Sequence, residues 1–180
     1  MTKIKETTSI QNWRLKGLGL LRIVFGFIWL FDAQFKWRPY FINHFLEYIT
    51  DAQTGQPAVI SKWLGTWIHI IQINPHLFGY IVAISETAIG LGLIFGFLSN
   101  LTFAGGTLLS LLIWSTAEGF GGPYVQGSTD IGTAIIYVFT FVALFLTKAG
   151  LYYGLDRRIS GLLGRWKFLA SGKADSISDQ

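Results

Sequence analysis

Carboxylates inside or beside long apolar runs are the residues of this sequence best suited to chemistry. Asp32 and Glu86 each lie within such a run, whereas Glu118 and Asp130 flank a Gly- and Pro-rich stretch, EGFGGPYVQGSTD, that joins two runs. Ionisable groups at membrane depth are energetically costly and commonly mark the paths of protons or substrates. We therefore predict Asp32, Glu86, Glu118 and Asp130 as catalytic residues that exchange protons.

Aromatic side chains occur near the predicted proton-exchanging groups. The four that can pack against a flat apolar ring are Trp29, Trp114, Tyr124 and Tyr137. Two basic residues follow Asp32 in the sequence. They are Lys36 and Arg38, and they can attract a small anion as substrate. Because reduction of a quinone takes up protons together with electrons, carboxylates and tyrosines beside tryptophans suit a quinone headgroup as substrate or bound cofactor.

Other chemistries find less support in the composition. The chain has no cysteine, which excludes a disulfide framework, a thiolate metal site and a Cys nucleophile. The three histidines, His44, His69 and His76, match no metal-ligand spacing, so we predict no metal site. The formal net charge is +4, but most Lys and Arg residues lie near the two ends of the chain, which favours a role in membrane topology over nucleic-acid binding.

The charges within the apolar runs have alternative explanations. Arg22 can extend to lipid headgroups or face the interior of a helix bundle. Asp32 precedes Lys36 by four residues, the favourable order for an acid–base pair on a helix, and it can extend outward or act in a site. Glu86 lies among small residues at 79, 83 and 90, and it can be a functional carboxylate or a structural partner of a neighbouring helix.

Composition and the apolar runs together predict a membrane protein. Of the 180 residues, 51% are hydrophobic and 13% are charged, whereas a typical soluble domain has about 25% charged residues. A run of about 20 apolar residues is long enough to cross a bilayer. We predict an all-α integral membrane protein, a four-transmembrane-helix bundle with spans at about 17–35, 77–98, 101–117 and 130–149.

The remaining segments predict the topology. Residues 1–16 form a cytoplasmic N-terminal segment, residues 17–151 the four-helix membrane domain, and residues 152–180 a basic cytoplasmic tail. In the tail, GLLGRWKFL predicts a basic C-terminal amphipathic helix, and the final SGKADSISDQ is expected to be disordered. Residues 36–76 form an outer connector with two short interfacial helices. Basic ends on the cytoplasmic side of a prokaryotic inner membrane agree with an even number of spans.

This topology brings six ionisable residues from four segments to the outer end of the predicted bundle. They are Asp32, Lys36, Arg38, Glu86, Glu118 and Asp130. Because independent helix packing does not predict such one-sided clustering, we expect a pocket on the outer side, covered by the tryptophan-rich connector.

Three stretches of the sequence resemble the DoxD family within the wider DoxX-like membrane proteins. They are LRIVFGFIWLFDAQFKW, AISETAIGLGLIFGF and, most specifically, GGPYVQGSTDIGTAIIY, and the resemblance covers about residues 15–156. DoxD-like proteins are described as the membrane subunit of thiosulfate:quinone oxidoreductase, which couples oxidation of thiosulfate to tetrathionate with quinone reduction. The resemblance thus implies a quinone as substrate or cofactor and a DoxA-like or other membrane-complex subunit as partner.

Three hypotheses on function follow. The first is a quinone-dependent oxidoreductase subunit that oxidises a small sulfur anion at the outer pocket. The second is a non-catalytic accessory or anchor subunit of a larger respiratory membrane complex, in which the acidic residues form structural pairs. The third is a small-molecule transporter, which the absence of visible repeats and broken helices disfavours.

Overall fold

The computed structural model describes residues 2–172, with side chains from residue 13 onward, and this part of the chain is helical without a strand. The α-helices in chain order are α1 (Thr2–Lys36), α2 (Pro39–Asn43), α3 (Phe45–Gln53), α4 (Ala58–Ile71), α5 (Pro75–Phe95), α6 (Ser99–Ser115), α7 (Ala134–Leu146) and α8 (Asp156–Ile159). Short 3-10 helices cover Gly119–Gly121, Ala149–Leu151 and Gly164–Leu169. The all-α prediction is confirmed for residues 2–172, whereas most of the SGKADSISDQ stretch lies outside the described residues.

Among residues 2–172, two helices are long and apolar enough to cross a membrane. They are the Trp13–Lys36 part of α1, with 24 residues and a mean hydropathy of 1.6, and α5, with 21 residues and a mean hydropathy of 1.8. The other two predicted spans correspond to α6, with 17 residues, and α7, with 13 residues. At about 1.5 Å per residue, α7 alone is shorter than the roughly 30 Å hydrocarbon core of a bilayer. The four-span bundle therefore stays a prediction.

Several helix boundaries differ from the predicted ones. Helix α1 begins at Thr2, so residues 2–16 continue the first predicted span as helix. Helix α7 begins at Ala134 rather than near 130 because Gly132 has a positive φ of 90°, which is incompatible with an α-helix. The helix ends at Leu146, shortly before Lys148 adopts the left-handed conformation with a φ of 50°.

The helices outside the predicted spans also differ from expectation. The connector at 36–76 contains three helices, α2 to α4, where we predict two. The GLLGRWKFL stretch is not one amphipathic α-helix, because Gly161 lies in a turn and Gly164 has a φ of 51°. Instead, α8 precedes this stretch and a 3-10 helix begins at Gly164.

The described chain divides into two compact units, and the first comprises residues 2–30, 88–105 and 141–172. Its interior contains Arg22, whose side chain is fully buried. The guanidinium donates hydrogen bonds to the backbone carbonyls of Leu93, Tyr152 and Tyr153. Arg22 therefore neither extends to headgroups nor lines an open site, but joins three distant backbone segments of this unit.

Aromatic side chains complete the interior of the first unit. Phe25, Trp29 and Phe141 meet edge to face, with ring centroids 4.9 to 5.8 Å apart. Gly26 and Gly90 allow the helices to approach closely. A Cβ at Gly26 would lie 2.8 Å from the Leu93 Cβ, and a Cβ at Gly90 would lie 3.1 Å from the Leu30 Cβ. The small residue at 90 thus lets α1 and α5 pack tightly, as the sequence predicts.

The second unit comprises residues 31–87 and 106–140. Its hydrophobic core lies where α3 packs against α4, and the buried members are Phe45, Ile49, Leu64 and Ile71. All six ionisable residues expected at the outer end of the bundle belong to this unit. The ionisable residues of the candidate site therefore all lie within one compact unit.

Candidate functional site

The last turn of α1 carries the first part of the candidate site. Asp32 and Lys36 are four residues apart, and the Lys36 Nζ donates to the Asp32 Oδ2 over 2.9 Å. The acid–base pair predicted from this spacing is confirmed. The Asp32 side chain is 57% exposed and that of Lys36 is 21% exposed, so the pair extends from the surface of the unit toward its interior.

Glu86 on α5 completes a group that we call the acidic cluster, consisting of Asp32, Lys36 and Glu86. The Glu86 Oε2 lies 3.5 Å from the Lys36 Nζ, and the Glu86 side chain is only 3% exposed. The same ammonium therefore contacts one exposed and one buried carboxylate. When all three groups are ionised, the cluster has a formal charge of −1, so it can accept a proton without losing the ammonium between the two acids.

Small residues on α5 explain how Glu86 comes to be buried. Ala83 is fully buried one turn before it, and Gly79 packs against Ile42 of α2, to which a Cβ would lie 3.2 Å away. Because these positions recur at helical spacing with Glu86, the face of α5 that carries the carboxylate packs against the rest of the unit.

A second contact positions α5 relative to the end of α1. The Trp37 Nε1 donates to the Thr87 Oγ1 over 2.9 Å, and Thr87 in turn donates to the Ala83 carbonyl over 2.8 Å. Trp37 directly follows Lys36 in the sequence, and Thr87 directly follows Glu86. The Lys36–Glu86 and Trp37–Thr87 contacts are therefore neighbours, and both hold α5 against the end of α1. Sequence reasoning missed Thr87, although its position directly after Glu86 was a usable signal.

Tyr137 on α7 lies within electrostatic range of the acidic cluster. Its hydroxyl interacts with the charges of Asp32, Lys36 and Glu86, and also with that of Glu118. Tyr137 is one of the four aromatic residues predicted to hold a ring, and it belongs to the same unit as the cluster. Its phenol can exchange a proton or orient a ring beside the carboxylates.

Glu118 and Trp114 instead support the start of α7. Both Glu118 carboxylate oxygens accept from the Ala134 backbone N–H, at 3.0 and 3.2 Å. The Trp114 Nε1 donates to the Ile131 carbonyl over 2.7 Å. These contacts use the polar atoms of both side chains to hold residues 131–134, which is a structural role for two predicted site residues.

Asp130 and Tyr124 make their polar contacts within the loop that carries them. The Asp130 Oδ1 accepts from the Gly132 N–H over 2.9 Å, and the Tyr124 hydroxyl donates to the Phe120 carbonyl over 2.7 Å. Both residues are exposed. The structure therefore places them on the surface of the loop, in local turns.

The two remaining predicted residues have different surroundings. Trp29 belongs to the first unit, where it is 6% exposed and packs against Phe25 and Phe141. Arg38 is exposed, and its guanidinium lies 4.5 Å from the centre of the Phe35 ring. Since Lys36 is engaged by two carboxylates, Arg38 is the more available cation of the two predicted for anion binding.

The connector helices hold the loop after α6. The Trp63 Nε1 donates to the Ser115 carbonyl over 2.9 Å, and the Gln56 Nε2 donates to the Gly119 carbonyl over 3.1 Å. These pairs are separated by 52 and 63 residues in the sequence, and no local pattern indicated either of them. The connector thus contacts the end of α6 and the loop that follows it.

Two of the three histidines line a cleft of about 340 Å³ in the second unit, together with Asn43, Glu47 and Thr50. The His44 Nδ1 lies 2.8 Å from the Tyr40 carbonyl, and the two rings stack at 4.2 Å. Among residues 13–172 there is no group of three His, Cys, Asp or Glu side chains that could hold a metal ion.

Comparison of the chain with protein-family models, with curated proteins and with solved structures finds no match.

Proposed function

We propose that this protein is a quinone-reactive membrane subunit of a DoxD-type thiosulfate:quinone oxidoreductase. The observation that carries the proposal is the acidic cluster, in which a single ammonium joins a buried carboxylate on an apolar helix to an exposed one. Buried ionisable groups in apolar helices commonly act in proton transfer, and reduction of a quinone requires a proton source.

The overall reaction balances in electrons and protons. Two thiosulfate ions join through a new S–S bond to give tetrathionate and release two electrons. The quinone takes up these two electrons and two protons to become the quinol. In this proposal Glu86 donates protons at the quinone oxygen, Tyr137 orients the ring, and Asp32 exchanges protons with the medium. Arg38 attracts the anion, and electrons pass directly or through a DoxA-like partner.

The test is thiosulfate-dependent reduction of a soluble quinone by detergent-purified protein, with and without co-purifying subunits. Loss of general acid catalysis commonly lowers rates by about a hundredfold or more, so Glu86→Gln should lower turnover by at least that factor. Glu47→Gln is the matched control, because Glu47 is an exposed carboxylate of α3 and should leave turnover unchanged. Wild-type turnover that Glu86→Gln does not alter would contradict the assigned role.

A second candidate function is an accessory or anchor subunit of a larger respiratory complex. It is favoured by the contacts of Glu118 and Trp114, which hold the loop before α7 instead of facing the acidic cluster. For such a subunit, Glu86→Gln should reduce recovery of attached partner subunits while the purified chain shows no quinone reduction. Measuring turnover and partner recovery on the same preparations separates the two functions.

A further inference from the structure

The segment from Arg157 to Phe168 forms a basic and aromatic surface loop in the first unit, with the sequence RRISGLLGRWKF. It carries four cations and no acidic residue, and its basic members are Arg157, Arg158, Arg165 and Lys167. All four are exposed, together with large apolar side chains: Leu162 is 86% exposed, Trp166 50% and Phe168 64%. We call this segment the basic loop.

The residues just before the basic loop are hydrogen-bonded to the end of α5. The Leu155 and Asp156 N–H groups donate to the carbonyls of Phe95 and Gly96, over 2.9 and 3.0 Å. Gly96 permits this approach, since a Cβ there would lie 2.6 Å from the Gly154 Cα. The chain immediately before the loop is thereby held against the turn between α5 and α6.

The end of the loop is fastened to the start of α6. The fully buried Asp156 accepts from the backbone N–H groups of Ser99 and Ser171, each over 2.9 Å. The Asn100 side chain donates to the carbonyls of Phe168 and Ala170, over 2.9 and 3.1 Å. Hydrogen bonds therefore hold both ends of the loop, and those of the Asp156 carboxylate are buried.

The hydrogen bonds between the residues just before the basic loop and the end of α5 indicate which surface the loop contacts. Phe95 is the last residue of α5, one of the two helices long and apolar enough to cross a membrane. The end of a spanning helix lies at the boundary between hydrocarbon and headgroups, where Trp and basic residues are favoured. The Arg165 guanidinium lies 5.5 Å from the Trp166 ring, so charge and aromatic surface are presented together.

We propose that the basic loop binds the headgroup region of a bilayer that contains anionic phospholipid. Its four cations attract phosphate groups, while Leu162, Trp166 and Phe168 enter the apolar boundary below the headgroups. An acidic protein segment would satisfy the cations, but it would not require exposed apolar side chains beside the end of a spanning helix. The inference concerns the first unit and is independent of the proposed quinone chemistry.

The test uses the purified full-length chain in phosphatidylcholine vesicles that contain a minor fraction of brominated lipid. Bromine quenches tryptophan fluorescence at short range, and subtraction of the Trp166→Phe signal isolates Trp166 from the other tryptophans. Brominated phosphatidylglycerol should quench Trp166 more strongly than the same fraction of brominated phosphatidylcholine. The ratio of the two measures the preference for the anionic lipid, and it should fall as salt is added.

Charge variants test the source of this preference. A basic residue at an anionic surface contributes about a fivefold change in binding, so Arg165→Gln should lower the preference by about that factor. The quadruple variant with Gln at 157, 158, 165 and 167 should abolish it. Lys62→Gln is the matched control, because it removes one exposed cation of α4 in the other unit and should leave the preference unchanged.

A further variant tests whether the hydrogen bonds at the ends of the loop matter. Asp156→Ala removes the acceptor for two buried N–H groups, so the preference should fall although all four cations remain. Ser160→Ala, which changes a buried hydroxyl one turn away, is its control. Equal quenching by both lipids, quenching by neither, or an equal loss with Lys62→Gln would each overturn the proposal. Recovery of an acidic protein lost with the quadruple variant, without a lipid preference, would overturn it as well.

Discussion

At the scale of single residues, the three charged groups of the acidic cluster differ in burial, so we expect them to contribute differently to stability. Asp32 is 57% exposed, and exposed ion pairs contribute little because water screens them. Glu86 is 3% exposed, so its charge depends on the nearby ammonium of Lys36. Removal of the Lys36 ammonium should therefore destabilise the protein more than removal of the exposed Asp32 carboxylate.

We predict that Lys36→Met destabilises the protein by about 3 kcal/mol, because it leaves the buried Glu86 carboxylate without its ammonium. Asp32→Asn should cost less than about 1 kcal/mol. Combining Lys36→Met with Glu86→Gln should restore part of the loss, since the uncompensated charge is then gone. Unfolding of the four proteins in detergent, followed by circular dichroism, measures these differences. Equal costs for Lys36→Met and Asp32→Asn would show that Glu86 does not depend on Lys36.

At the scale of elements, the loop between α6 and α7 determines where α7 begins. Glu118 accepts from the first N–H of α7, and Trp114 holds the Ile131 carbonyl. Gly132 has a φ of 90°, and a Cβ there would lie 2.5 Å from the Glu118 Oε2. Helix α7 therefore begins where the Glu118 side chain, three residues after the end of α6, accepts a hydrogen bond from the Ala134 N–H.

We predict that Glu118→Ala destabilises the first turn of α7 by about 1 to 2 kcal/mol, the usual effect of removing a helix N-cap. Glu118→Gln keeps an acceptor oxygen and should cost less. Hydrogen exchange at the amides of residues 134–137 measures the effect locally, and Glu47→Gln serves as a control on an exposed carboxylate. If Glu118→Ala left exchange at these amides unchanged, the capping role would be wrong.

At the scale of the whole molecule, the central question is how many helices cross the membrane. Two helices meet the length and hydropathy expected of a span, whereas α6 and α7 are shorter. Four spans with both ends cytoplasmic would place the loop around Ser128 outside and the basic loop around Gly161 inside. With two or three spans, at least one of the two residues would lie on the opposite side of the membrane.

The chain has no cysteine, so single cysteines can report its topology without a background. We predict that Ser128→Cys reacts with a membrane-impermeant maleimide in intact cells, because this exposed residue lies in the predicted outer loop. The equally exposed Gly161→Cys should react only after the membrane is permeabilised. Labelling of both cysteines in intact cells, or of neither, would contradict a four-span topology.

Features that depend on local spacing could be predicted from the amino-acid sequence alone. Long apolar runs predicted an all-α chain, the four-residue separation predicted the Asp32–Lys36 pair, and small residues near Glu86 predicted close helix packing on that face. Each of these requires only that nearby residues share a helix, because one turn of helix brings them together.

Contacts between groups that are distant in the sequence could not be predicted and are seen in the folded chain alone. Lys36 and Glu86 are 50 residues apart, and the carbonyls that bind Arg22 lie 71 to 131 residues further along the chain. The same types of residue, Glu86 and Glu118, were predicted to share one role, yet one contacts an ammonium and the other caps a helix. The difference arises because packing, rather than residue type, determines which donor is within reach of each carboxylate.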